Sequence, residues 1–293
     1  MLSFTKVQGA GNDFVLVESS ISDNNWARIS AAVCDRHFSI GADGLLLLLP
    51  SAVADFRMRV FNSDGSEADA CGNGLRCLAR YIVEKRLINS KTRMISIETA
   101  SGIRKIKLRR MGDDIIKIQV FMGIPRFGVK EIPIRTEVGR EDLEDTTPIL
   151  NYPVTVEGQE LKLNMVSVGN PHAVYFWNRP VSEFPMLEIG LKVTQLPLFP
   201  QRVNFEVTRV INRRLIEARV WERGSGETLA CGSGACAIAV ISRLYDYIDD
   251  KVEINLPGGT LGVEWDGRGE VLLSGPTEIV FTGEWQDENV KAD

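Results

Sequence analysis

Two cysteines occupy near-identical settings in this chain: "ADACGNGLRC" from Ala68 to Cys77, and "TLACGSGACA" from Thr228 to Ala237. In each, the cysteine (Cys71 or Cys231) is followed by Gly-x-Gly and then by residues of helical spacing. The start of a helix leaves about four backbone N–H groups without intrahelical partners and carries roughly half a positive charge. A cysteine there is expected to ionise readily, its pKa falling from about 8.5 into the range of roughly 3.5–7.5. Gly72, Gly74, Gly232 and Gly234 let a bound anion approach the backbone with no Cβ in the way. Each setting therefore offers a reactive sulfur beside a cradle for a carboxylate.

The echo extends beyond the cysteines. Aligned from Arg59 and Arg219, "RVFNSDGSEADACGNG" and "RVWERGSGETLACGSG" agree at seven of sixteen positions. Upstream, "GAGNDFVLV" and "SVGNPHAVYF" share Gly11-Asn12 and Gly169-Asn170. The Asn pair lies 158 residues apart and the Cys pair 160, an order and spacing that point to duplicated halves. If the halves pack about a pseudo-two-fold axis, Cys71 and Cys231 face each other and titrate as a coupled pair. One thiolate then removes a proton from a carbon acid while the opposite thiol protonates the other face, inverting the centre. Two helix starts can stabilise the charge that develops on the substrate carboxylate. No phosphate cup or Schiff-base lysine points to pyridoxal phosphate. The expectation is a racemase or epimerase with no cofactor and no metal.

Zinc is the natural rival for Cys71 with Cys77, and for Cys231 with Cys236. Cysteines five or six residues apart on one helix project about 120–140° from each other around the axis and cannot converge on one ion. Cys34, Cys77 and Cys236 are read as core thiols.

The elements that must position these groups are mostly strands. Short alternating or β-branched runs closed by Gly, Pro, Asn or Asp recur: "FVLVES", "FRMRVF", "IKIQVF", "YPVTVEG", "QELKLNMVSV", "AVYF", "RVNFEVTRVI" and "LIEARVW". "VTVEGQELKL" reads as a hairpin around Gly158, and Leu45–Leu49 as a buried strand. A strand–helix–strand rhythm with long parallel runs is not seen, so a doubly wound sheet is not indicated. Helical spacing at Leu75, Leu78, Ala79, Ile82 and Val83 predicts one helix, and 235–247 another that is apolar nearly all round at its start. A third is expected over 25–37 with Asp23 as its N-cap. The acidic stretch 138–148 is the best linker candidate, and the tail beyond Glu284 is expected to fray.

A net charge of −5 leaves no basic footprint for nucleic acid, and 44% hydrophobic with 25% charged residues is ordinary for a globular chain. The N-terminus lacks a signal-peptide pattern and the leucine run is too short to span a bilayer. A cytoplasmic location and five thiols rather than a disulfide framework are expected. The partner expected is a small-molecule substrate, with neither nucleic acid nor membrane; a homodimer stays open.

At this point the sequence resembles the diaminopimelate epimerase family over essentially its full length. The resemblance is carried by "GAGNDF", "RHFSIGADG", "FNSDGSEADACGNGLRC", "VGNPHAV", "RVNFEV", "WERGSGETLACGSGA" and "LSGPTEIVFTG". It implies an α+β fold of two similar halves related by a pseudo-two-fold, each an antiparallel-rich sheet wrapped around a central helix. The division expected is 1–130 with the C-terminal strand 276–293 for the half of Cys71, and 131–275 for that of Cys231. It implies cofactor-independent interconversion of LL- and meso-2,6-diaminopimelate, serving lysine and peptidoglycan precursor synthesis, and makes Cys71 and Cys231 the acid/base thiols. Gly72-Asn73 and Gly232-Ser233 become carboxylate cradles; Asn12, Asn62, Asn170, Asn204, Glu222 and Arg223 become substrate ligands. His172 and Glu222 become residues that tune the thiols. Ser233 stands where many members have Thr, and Gly44 where some have Gln.

Two rivals remain open on the sequence. A proline or hydroxyproline racemase also uses two cysteines but needs no grip on a distal amino-acid head, for which Arg223 is suited. A redox- or metal-responsive binding protein would use the cysteines as a switch and show no turnover.

Overall fold

The computed structural model describes residues 1–21, 24–69, 71–112, 114–135 and 147–286. The chain forms two compact units, one from Met1–Val120 and the segment from Ser274 onward, the other from Phe121–Leu273. The first contains β1 (Leu2–Gly9), β2 (Asn12–Glu18), α1 (Trp26–Val33), β3 (Gly44–Leu49), β4 (Phe56–Asn62), β5 (Glu67–Ala68), α2 (Gly72–Glu84), β6 (Met94–Thr99), β7 (Gly102–Met111) and β8 (Asp114–Phe121). The second contains β9 (Ile149–Val156), β10 (Gln159–Ser167), β11 (Pro171–Phe176), α3 (Met186–Thr194), β12 (Asn204–Asn212) and β13 (Leu215–Glu222). It continues through β14 (Gly226–Thr228), α4 (Gly232–Leu244), β15 (Lys251–Leu256), β16 (Gly259–Glu264) and β17 (Leu272–Ser274). The last strand, β18 (Glu278–Trp285), belongs to the first unit and lies antiparallel to β1.

Pairing is the same in both units. In the first, β1–β2, β3–β4, β4–β5 and β6–β7 are antiparallel, whereas β2–β3 and β4–β6 are parallel. In the second, β10–β11, β12–β13, β13–β14 and β15–β16 are antiparallel, and β11–β12 and β13–β15 parallel. The pairing of β9 with β10 is matched in the first unit by that of β18 with β1. Parallel neighbours need a crossover, and α1, α2, α3 and α4 supply the four. The chain is α+β, two similar units of antiparallel-rich sheet with a central helix in each.

The central helices explain the leucine run. Leu45, Leu47 and Leu49 pack with Trp26, Ile29 and Val33 of α1, while Leu46 turns to the other face, against the head of α2 at Gly74. With both faces covered, β3 is buried throughout and shows no alternation. In α2, Leu75, Leu78, Ala79 and Ile82 are buried, as their spacing predicts. In α4 every residue from Ala235 to Ser242 is buried, so its apolar character runs all round. α3 packs Met186, Ile189 and Val193 against Phe205, Val207 and Trp221 on the outer face of the second unit.

The hairpin around Gly158 forms, with Val156 opposite Gln159 and positive φ at Glu157 (50°) and Gly158 (74°). This is the twist-matched two-residue turn. The helix expected over 25–37 is shorter, ending at Val33. Asp35 stops it, because its Oδ1 captures the N–H groups of His37 (2.7 Å) and Phe38 (2.9 Å) in a local turn. The N-cap is Asn25, whose side chain accepts from Arg28 N–H; Asp23 lies outside the described residues. So do residues 138–146 of the acidic stretch and the tail from 287. Among the described residues, no helix is long and apolar enough to cross a membrane. None of the five cysteines is joined in a disulfide.

Gly44 is fixed by space rather than by φ. A Cβ there would stand 2.5 Å from the Phe61 carbonyl oxygen on β4, so neither Ala nor the Gln of some family members fits without parting the two strands. Gly44→Ala is expected to lower stability by about 1–3 kcal/mol, the usual cost of overpacking. An unchanged urea midpoint for this variant would show that β3 yields freely.

Candidate active site

In the first unit Cys71 is the N-cap of α2, with extended backbone (φ −140°, ψ 116°), and its Sγ accepts the Gly74 N–H at 3.3 Å. Asn12 Oδ1 lies 3.9 Å from that sulfur and accepts from Asn73 Nδ2 at 3.2 Å. Asn73 is itself held by the fully buried Arg76, whose Nη2 donates to Asn73 Oδ1 at 2.7 Å. The other end of the Asn12 amide donates to Asp43 Oδ2 at 2.8 Å. Both ends of the Asn12 amide are therefore engaged, and its oxygen points to the sulfur. Asn62, in register with Gly44, donates to Ser66 Oγ of its own turn at 2.9 Å.

A charged cluster holds the loop that carries Asp43. Asp13 accepts from Arg36 at 2.6 Å and pairs with Lys6 at 2.6 Å, and Arg36 also reaches Asp43 at 2.7 Å. Burial pushes the Asp13 carboxyl up, but the hydrogen bonds from Arg36 and Lys6 outweigh it and hold the group at about 2. A depressed carboxyl stabilises the fold above its unfolded value near 3.8 and loses that contribution as pH falls towards 2. Asp13→Asn is expected to cost about 1–2 kcal/mol at pH 7, discounted for the exposure of Arg36, and nothing below pH 2. Urea unfolding at pH 7 and in acid checks this; an equal deficit at both pH values would remove the electrostatic explanation.

In the second unit Cys231 is the N-cap of α4 (φ −115°, ψ 118°), and its Sγ accepts the Gly234 N–H at 3.4 Å, with Ser233 Oγ at 3.5 Å. Burial pushes this thiol well above its ordinary value and the charge of Glu222 adds to the rise, while Ser233 and the Gly234 N–H pull it down. The expectation that the helix start lowers the thiol from its ordinary value is thus corrected at Cys231, where loss of solvent outweighs two hydrogen bonds. Glu222 Oε1 accepts from Thr228 Oγ1 at 2.6 Å. Asn204 is buried and accepts the Arg223 N–H at 2.9 Å. The Arg223 side chain is exposed and donates to the Gln201 carbonyl at 3.3 Å.

His172, fully buried, lies between two side-chain oxygens: Nε2 is 2.9 Å from Asn170 Oδ1 and Nδ1 is 2.6 Å from Glu206 Oε1. Glu206 in turn touches the head of α4, since the Cβ that Gly234 lacks would lie 3.1 Å from Glu206 Oε1 and 3.4 Å from Cys231 Cβ. His37, the other histidine, is exposed.

A family profile described as diaminopimelate epimerase matches residues 4–128 and 164–280, one stretch holding Cys71 and the other Cys231. The chain belongs to the diaminopimelate epimerase family. Among its relatives, diaminopimelate epimerase of Halothermothrix orenii is 42% identical over 285 residues, covering 96% of this chain and 97% of that one. The protein of the same description from Methanococcus maripaludis is 40% identical over 285 residues, covering 97% and 99%. Among solved structures, a probable proline racemase from Agrobacterium radiobacter aligns with a TM-score of 0.70 at 12% identity, over 99% of this chain and 94% of its own. That last likeness is one of fold alone.

In this epimerase the structure gathers Cys71, Asn12 and Asn73 at one helix head, and Asn170 and His172 beside the other. Asn62, Asn204 and Arg223 have local partners of their own. Two buried residues next to these groups escape sequence reading, Arg76 and Glu206. Both were visible through the repeat: at the 160-residue offset Arg76 falls opposite Cys236 and Glu206 opposite Leu46 of the buried leucine run. A charged residue at a position whose duplicate is core is the signal.

Proposed function

We propose that this epimerase interconverts LL- and meso-2,6-diaminopimelate by two-base proton transfer at one α-carbon, without a cofactor, for lysine and peptidoglycan precursor synthesis. Cys71 and Cys231 are the two bases, one a thiolate that takes the proton and the other a thiol that gives one to the opposite face. The observation that carries the reading is the matched pair of N-caps, each sulfur accepting the N–H of the glycine three residues on. An N-cap sulfur can exchange a proton with substrate while the helix N–H groups steady its anion. The backbone of Gly72-Asn73 and Gly232-Ser233 offers further N–H donors to the carboxylate at the reacting centre.

The rest of the substrate is a second amino-acid head that must not react. Arg223, exposed and only loosely tied to Gln201, is free to clamp the distal carboxylate with two parallel hydrogen bonds. Asn12, Asn62, Asn170 and Asn204 each present both donor and acceptor, which suits an ammonium beside a carboxylate. Glu222 serves as a ligand for the ammonium and, with His172, sets the proton affinity of Cys231. The deciding experiment is incubation with LL-diaminopimelate in deuterated water. The expected result is meso product carrying one deuterium at one α-carbon. Neither product nor label would mean that the substrate is another, and L-proline run in parallel tests the racemase rival.

A further inference from the structure

The two units match strand for strand, yet one buried layer differs. On β2 and β3 the first unit places Phe14 and, against the head of α2, Leu46; the second places His172 and Glu206 at the corresponding positions of β11 and β12. Both residues of the polar pair are fully buried. A histidine and a carboxylic acid in a layer that its duplicate fills with apolar side chains cost stability, since buried polar groups are tolerated only when paired. The pair therefore has a task. The hydrogen bonds show where it leads, because the far side of the His172 ring contacts Asn170, the duplicate of Asn12.

The protons can be placed by elimination. Asn170 Oδ1 accepts, so His172 Nε2 carries hydrogen. Nδ1 must then accept from Glu206, or else the ring is a cation facing a carboxylate. The cation requires two buried charges in contact. It also leaves Glu206 Oε2, a buried oxygen with no hydrogen-bond partner among the described residues, as half of a bare anion. A neutral acid donating from Oε1 to Nδ1 leaves Oε2 as an unpaired carbonyl oxygen only, a much smaller penalty.

The charged or titratable groups around it favour the same choice. Burial pushes the Glu206 carboxyl up and Glu222 on β13 opposes a second negative charge, against the pull of His172 and of the Ala173 N–H. An ionised Glu206 would also disfavour the Cys231 thiolate, whose proton affinity it raises.

We infer that Glu206 is a positioning residue: as a neutral acid it donates to His172 Nδ1, locks the ring as the Nε2–H tautomer, and so fixes the Asn170 amide with its NH2 directed away from the ring, towards substrate. The first unit reaches the same end differently, fixing Asn12 from Asn73 and Asp43. The inference rests on the reading of Asn170 as a substrate ligand.

The test joins imidazole 15N spectra with steady-state kinetics on the full chain. His37→Asn leaves His172 as the one histidine signal, since the chain has two. The expected spectrum is that of a neutral Nε2–H ring. Glu206→Gln offers an amide donor to Nδ1 and should leave both the spectrum and KM for LL-diaminopimelate within about threefold of wild type. Glu206→Leu removes the donor; the ring should then mix tautomers and KM rise about tenfold with a smaller change in kcat. An imidazolium in the wild-type spectrum overturns the inference, as does a Gln variant as impaired as the Leu variant. Should the Leu variant not fold, the wild-type and Gln spectra decide alone. A changed ring signal with unchanged KM overturns the positioning role while leaving the two-cysteine reaction, which the deuterium experiment reads separately.

Discussion

Cys71→Ser and Cys231→Ser are each expected to lower epimerisation about a thousandfold, in both directions. General acid–base groups contribute roughly 10²–10⁴-fold, and here each sulfur is base in one direction and acid in the other. Losing either one breaks both reactions. Serine keeps the N-cap, since its hydroxyl can accept the Gly74 or Gly234 N–H, so the helices should survive and the loss belongs to chemistry. The hydroxyl is far less acidic than the thiol and cannot serve as the base near neutral pH. Cys77→Ala is the control: Cys77 is buried, burial pushes its thiol up to about 12, and it should retain activity within about threefold while losing some stability. Rates measured from LL and from meso substrate, with deuterium wash-in, separate the cases. Activity of Cys71→Ser within tenfold of wild type would end the two-base account, and equal losses in Cys77→Ala would mean that the wrong thiol had been chosen.

What the sequence conveys and what it hides follow from burial. The N-cap cysteines were legible because a strand, a turn and Gly-x-Gly leave few ways to start a helix, and because the pattern occurs twice. The strands with one exposed face, such as β9 and β15, announce themselves by alternation. β12 does not: Asn204 to Thr208 are all buried, so Glu206 within "NFEVT" reads like a solvent-facing residue. Arg76 is hidden by the same logic, a basic residue one turn into a helix whose whole circumference there is covered. The length of α1 failed on a local competition, since its apolar spacing says nothing about Asp35 offering the backbone a turn instead. Cys231 departs from the low proton affinity expected of a helix start because burial removes the solvent that would help to steady its thiolate.

Arg76→Met should reduce kcat/KM about 10–100-fold with little net change in stability. Two opposing terms act on the fold. Removing a buried cation for an apolar side chain of similar length is often neutral or favourable by about 1–4 kcal/mol. Against it, Asn73 Oδ1 loses the donor at 2.7 Å and Gly72 O its contact at 3.4 Å, and a lost hydrogen bond from a charged donor costs about 1.5–3 kcal/mol. The site has no such compensation. Without the guanidinium the Asn73 amide can rotate, placing its own oxygen against Asn12 Oδ1, where two acceptors repel. Asn12 then loses one of its two anchors, and its oxygen no longer stands 3.9 Å from the Cys71 sulfur. A loss of about 1–3 kcal/mol at the transition state corresponds to roughly the fold-change given. Arg80→Met, one turn along and partly exposed in a pair with Glu84, should change kcat/KM by less than twofold, as surface ion pairs are worth about 0–1 kcal/mol. Asn73→Ala should mimic Arg76→Met, and the double variant should be little worse than either, since both cut one chain of hydrogen bonds. Additive losses would show that Arg76 acts on catalysis by some route other than Asn73.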